Sequence, residues 1–139
     1  ILRVYPSQSS RNGASFLEVC MVSFPYPIMA IQTDNGAPFQ KEFERACHVR
    51  SITHYFIHPR TPKENTYVER SHGADEREFY QQGNISSLLP VMQQKIKAWE
   101  EIWNNIRPHE SLGQLTPIEY SRKIKTNGLP TKNVVILQT

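Results

Sequence analysis

An α/β fold is predicted for this chain, and three observations predict it. The apolar run Ile28-Met29-Ala30-Ile31 leads through Gln32-Thr33 into the turn-former Asp34-Asn35-Gly36, as a buried strand ending in a loop would. Phe39, Phe43, Ala46 and Cys47 then recur at helical spacing. Ser51 to Ile57 reads as another strand, so a β-α-β unit brackets Asp34.

The remaining elements follow in order. Ile1-Leu2-Arg3-Val4-Tyr5 alternates, is rich in β-formers and stops at Pro6, which predicts a strand. Ser9-Ser10-Arg11-Asn12-Gly13 supplies a loop, and Leu17, Cys20, Met21 and Phe24 give a short amphipathic helix up to Pro25. Ile28 to Thr33 is the buried strand that delivers Asp34 to its C-terminal end, and Pro38 suits the first turn of the helix after it. Beyond His58-Pro59-Arg60-Thr61-Pro62, residues Glu64 to Tyr80 read as a helix weakened by Gly73. The strongest helical signal is Ser87 to Ile106, where Leu89, Met92, Ile96, Trp99, Trp103 and Ile106 form one stripe at steps of three and four. That stripe predicts a face docked on the chain's own core, with a partner helix as the alternative. Arg107-Pro108-His109 ends the helix, and Thr116 as N-cap with Pro117 at the first helical position opens a last short one. Residues 127–139 read as a loosely docked tail with a strand at Val134-Val135-Ile136-Leu137.

Composition narrows the classes. With 139 residues, 38% hydrophobic and 21% charged, the chain is long enough to bury a core without metal or disulfide staples. Cys20 and Cys47 are its two cysteines and form no Cys-x-x-Cys pair, which argues against a disulfide framework or a cysteine zinc site and for a reducing compartment. No apolar run approaches the roughly 20 residues of a membrane span, and no signal-peptide pattern is visible, so a soluble cytoplasmic protein is expected. Lysines and arginines number 16 against 13 acids, with a pI near 9.0, a balance that permits a polyanionic partner. The chain starts at Ile1 without an initiator Met, which fits an excised fragment and equally a processed chain.

Three separated motifs carry the functional reading. The first is Ile31-Gln32-Thr33-Asp34-Asn35-Gly36 with Phe39 following. The second is His58-Pro59-Arg60-Thr61-Pro62-Lys63-Glu64-Asn65, then Val68-Glu69-Arg70-Ser71-His72. The third is Trp103-Asn104-Asn105-Ile106-Arg107-Pro108-His109-Glu110-Ser111-Leu112-Gly113 with Thr116-Pro117. In this order they resemble the catalytic core of the retroviral integrase and bacterial insertion-sequence DDE transposase superfamily, over about residues 28 to 120. The chain departs from the family's usual pattern at Thr66, where glycine is common, and at Ala37-Pro38, where a polar residue is usual.

The resemblance implies a partial RNase H-like fold lacking its first two strands, with residues 1–106 as a truncated catalytic core and 107–139 as a helical extension and tail. It implies Asp34 and Glu69 as catalytic, metal-binding carboxylates, the second and third acids of a triad whose first is not in this chain. Carboxylates suit Mg²⁺ or Mn²⁺, hard cations that take oxygen ligands, and a pair of such ions can activate a nucleophile and stabilise a leaving oxygen in phosphodiester transfer. Lys63, Asn65 and Arg70 stand around Glu69 as candidate DNA contacts. The implied activity is metal-dependent DNA strand cleavage and transfer, with DNA and further copies of the chain as partners, in a bacterial cytoplasm near the nucleoid. With two of three acids, the isolated chain is expected to be inactive. The competing readings are a catalytically dead DNA-binding or oligomerisation remnant and an RNase H-like nuclease. Each residue also has an ordinary explanation: Asp34-Asn35-Gly36 as a turn, Glu69 as a solvated helix residue, and His48, His54, His58, His72 and His109 as packing residues rather than zinc ligands. Absence of the first strands is expected to leave the strand Ile28 to Thr33 with a bare edge.

Overall fold

The computed structural model describes residues 1–57, 62–128 and 134–137, with side chains described at 1–57 and 70–128. Two compact units divide it: Ile1–Val4 with Asn84–Thr131, and Tyr5–Gly83 with Lys132–Thr139. Packing thus parts the chain at 83/84.

The second of these units holds a sheet. Its first helix, α1 (Ser10–Ser23), starts earlier than the loop-like sequence suggests because the Ser9 side chain accepts the Asn12 N–H at 3.2 Å and caps it. Leu17 and Cys20 turn inward. Strand β1 (Ala30–Thr33) follows, then a 3-10 turn at Ala37–Phe39 and helix α2 (Glu42–Val49). Pro38 therefore starts the 3-10 turn and not α2, since Lys41 at φ 39° reverses the chain between the two. The Ser10 hydroxyl donates to Glu42, and Arg50 pairs with Glu18, so polar contacts flank the α1–α2 seam that Cys20, Phe43 and Cys47 fill.

Strand β2 (Thr53–Phe56) pairs parallel with β1, and helix α3 (Pro62–Glu78) follows it. The other side of β1 pairs, also in parallel, with β3 (Val134–Leu137), giving the order β2-β1-β3. The bare edge expected on β1 is therefore filled, by the tail of the same chain.

The other unit is helical. Helix α4 (Leu89–Asn105) buries Met92, Ile96 and Trp99 and half-buries Trp103, whereas the stripe's ends, Leu89 at 40% and Ile106 at 70%, stay exposed. It packs on α5 (Pro117–Asn127), whose capping box is complete: Thr116 Oγ1 accepts the Glu119 N–H at 3.3 Å, and the Glu119 carboxylate accepts the Thr116 N–H at 2.9 Å. A cap of this kind stabilises by about 1 kcal/mol. Residues 1–5 form no strand, contrary to their alternating pattern. Side chains of α4 take their backbone donors instead: the Leu2 N–H reaches Glu100 Oε2 at 2.9 Å and the Val4 N–H reaches Gln93 Oε1 at 3.0 Å. Among the described residues no helix is long and apolar enough to cross a membrane.

Candidate active site

The site is anchored at the C-terminal end of β1. Thr33, fully buried there, is a polar residue that must find partners. Its carbonyl accepts the Ile57 N–H at 2.8 Å, and its hydroxyl lies 2.8 Å from His54 Nε2. In the parallel register His54 stands opposite Ile31, two residues back on the same face as Thr33, so the bond runs diagonally between strands. The His54 ring packs edge-on to Phe43, centroids 5.2 Å apart, and tilted on Phe56 at 4.4 Å. Burial pushes the imidazole pKa below its ordinary value, with the Glu44 charge opposing. A neutral ring thus clamps β1 to β2 one residue before Asp34.

Asp34 follows as the chain leaves the sheet, half-buried. Its Oδ1 accepts the Gly36 N–H at 2.9 Å, an Asx turn, and the Gly36 carbonyl accepts the Phe39 N–H at 3.0 Å. Gln40 Nε2 donates to Asn35 Oδ1 at 2.7 Å, bracing the loop from its far side. The turn explanation and the ligand explanation of Asp34 are compatible, because an ionised carboxylate offers about four acceptor directions and a turn needs only one of them.

Helix α3 carries the other candidates. Glu69, Lys63 and Asn65 lie on it by backbone position, Asn65 one turn before Glu69, but their side chains fall outside the described residues, as does the turn at 58–61. Arg70 is described and exposed. Further along α3, Asp75 is 8% exposed, and burial followed by the Asp75 and Glu76 charges raises the Tyr80 phenol's pKa. Sequence reasoning missed Asp75 and saw His54 only as a weak zinc candidate. A buried threonine at a strand end with a histidine one strand over was the available signal for the latter.

Chemically, Asp34 fits one position of a hard-cation site: an oxygen donor at a strand terminus whose backbone is fixed on both sides. Among the described residues no three His, Cys, Asp or Glu side chains converge to hold a metal ion. His54 and His109 both pack against aromatic rings. His109 lies 4.7 Å from the Trp103 ring with Nε2 3.2 Å from the Trp103 carbonyl, and the Arg107 guanidinium sits 4.6 Å over the same indole.

Comparison with known proteins agrees with the fold. Residues 50–117 match the integrase core domain family. An uncharacterized 39.2 kDa protein of insertion element IS476 from Xanthomonas euvesicatoria is 31% identical over 102 residues, 73% of this chain and 29% of that protein. An uncharacterized 31.7 kDa protein of insertion element IS407 from Burkholderia multivorans is 28% identical over 99 residues, 70% of this chain and 35% of that one. The chain thus spans about a third of the length of these relatives. In fold it is similar to the catalytic core domain of BIV integrase, with TM-score 0.60 and 23% identity over 90% of this chain and 79% of that structure. It is also similar to a chain of the simian T-cell lymphotropic virus intasome in complex with PP2A regulatory subunit B56 gamma, with TM-score 0.57 and 20% identity over 76% of this chain and 37% of that one. The RNase H-like α/β class of the integrase catalytic core is the class this fold defines. Within it, residues 50–117 match the integrase core domain family, and the chain resembles proteins of two insertion elements over about 70% of its length.

Proposed function

We propose that this chain is part of a DDE transposase or integrase that cuts and joins DNA strands with Mg²⁺ or Mn²⁺ held by Asp34 and Glu69. The observation that carries the reading is Asp34 at the C-terminal end of the central parallel strand, its turn closed by Gly36 and its strand clamped by Thr33 and His54, in a chain whose residues 50–117 match an integrase core. Positioning supplies much of the rate in such transfers, so a carboxylate on a fixed backbone is the right kind of ligand. A divalent cation held there would supply charge neutralisation at the phosphoryl oxygens and an activated attacking oxygen. Asp34 and Glu69 orient that cation, while Lys63, Asn65 and Arg70 hold the DNA backbone through phosphate contacts that fix register rather than sequence. DNA and further copies of the chain are the partners in this reading, in a bacterial cytoplasm.

The chain alone is expected to leave labelled DNA intact with Mn²⁺, because two acids fix a cation less fully than three. The decisive measurement is Mn²⁺ binding by the isolated chain, followed by its electron paramagnetic resonance signal. Binding that is lost in Asp34→Asn supports the metal-ligand reading. Equal binding in both, with DNA retained by the chain, favours a dead DNA-binding remnant. Hydrolysis of DNA without any joined product favours an RNase H-like nuclease.

A further inference from the structure

We infer that the β3 edge of the sheet is a strand-exchange site, at which the segment Val134–Leu137 of a second copy of this chain takes the place of the chain's own. The inference names a route for self-association and does not depend on metal or DNA chemistry, so its failure would leave Asp34-dependent Mn²⁺ binding untouched.

Four features carry it. The strand is the outer one in the order β2-β1-β3, so among the described strands β1 alone holds it, through the pairs Ala30 with Val134, Ile31 with Val135, Gln32 with Ile136 and Thr33 with Leu137. This four-residue backbone ladder must open for it to leave. Second, the strand is remote in sequence from the body it completes: Lys132–Thr139 belongs with Tyr5–Gly83, while Asn84–Thr131 between them packs as a unit of its own. Third, the chain leaves α5 through Gly128 at φ 98° and ψ 150°, a backbone state that glycine adopts readily and other residues rarely do, which suits a hinge. Fourth, the sequence Val-Val-Ile-Leu is apolar and rich in β-branched residues, so the segment gains more from the sheet than from water.

These features fit a second copy better than any other occupant. The edge takes a parallel strand in a defined register, and the sequence seated there is the chain's own. Exchange between two copies keeps every β1–β3 backbone bond and adds no new contact to be optimised. Its cost is the entropy of association, which higher concentration offsets, whereas a bare edge would leave the amides and carbonyls of β1 facing water. Strand addition of this kind draws its strength from main-chain hydrogen bonds.

The test uses the register pair Gln32 and Ile136. Full-length chains carrying Gln32→Cys alone and Ile136→Cys alone are mixed, unfolded, refolded together at several concentrations and oxidised. The linked species is then mapped by peptide mass. Exchange predicts a heterodimer joined through positions 32 and 136, its fraction of the total chain rising about tenfold for a tenfold rise in concentration while it remains the minor species. The double variant Gln32→Cys with Ile136→Cys serves as the control for cis pairing. A double variant that closes a monomeric disulfide while the mixed single variants give no 32–136 heterodimer would overturn the inference. So would a double variant that forms no 32–136 bond at all, since the edge would then not receive this strand from either copy.

Discussion

At the scale of single residues, the site depends on groups whose roles come from their neighbours. Gly13 is buried in α1, and a methyl group built on it would stand 1.9 Å from the Pro38 carbonyl oxygen. That contact is with backbone, in the turn that follows Asp34, so it cannot be relieved by a side-chain rotation. Gly13→Ala is expected to cost about 1–3 kcal/mol as α1 and the turn are forced apart, read from the urea midpoint. An unchanged midpoint would show that the two elements part freely. Cys47 behaves differently because it is chemical as well as steric. Burial pushes its thiol from 9.0 up to about 11, with Arg50 opposing and Glu44 adding to the shift. The folded state therefore keeps a proton that the unfolded chain gives up. Stability from this group is complete below pH 9 and falls as pH rises from 9 to 11, by on the order of 2–3 kcal/mol. Urea titrations of the wild-type chain and Cys47→Ala across that window are expected to show the steeper decline in the wild type.

At the scale of elements, the stripe on α4 is a helix face with a buried middle and exposed ends. Trp99 at 8% exposure is flanked by Met92 and Ile96, while Ile106 at 70% already lies beyond the last turn. Trp99→Ala is expected to cost about 3–5 kcal/mol and Ile106→Ala to stay within about 0.5 kcal/mol, by thermal or chemical denaturation. Comparable losses at both positions would point to a partner covering the helix end. The periodicity was legible because a helix repeats every 3.6 residues wherever it packs. The limits of the buried stretch were not, because they depend on where the neighbouring elements stop. The α5 capping box was half legible in the same sense: Thr116 and Pro117 mark the start, while Glu119 closing the box is visible only as geometry.

At the scale of the whole molecule, the chain is two units with separate cores, and its two tryptophans, Trp99 and Trp103, both lie in the helical one. Tryptophan fluorescence therefore reports that unit, while far-ultraviolet circular dichroism reports both. Urea unfolding followed by the two signals is expected to give midpoints that do not coincide, since independent cores need not melt together. Coincident curves would mean that the units unfold as one. The proposed site falls in the sheet-bearing unit. Asp34, Arg70 and the backbone positions of Lys63, Asn65 and Glu69 all fall within Tyr5–Gly83.

The sequence by itself determined the local grammar: a β-α-β unit, an acid placed at the end of a buried strand, a long amphipathic helix and a capped short one. Each follows from side-chain periodicity or turn chemistry within a few residues, which the chain carries wherever it folds. The tertiary structure alone decided who pairs with whom. Residues 1–5 and 134–137 both read as strands, yet the first segment gives backbone donors to Glu100 and Gln93 and only the second joins the sheet. The clamp of Thr33 by His54 was likewise hidden, because it joins strands 21 residues apart. An extended segment's amides can be satisfied by a strand, a side chain or water, and the choice is made by distant parts of the chain whose arrangement no local pattern encodes.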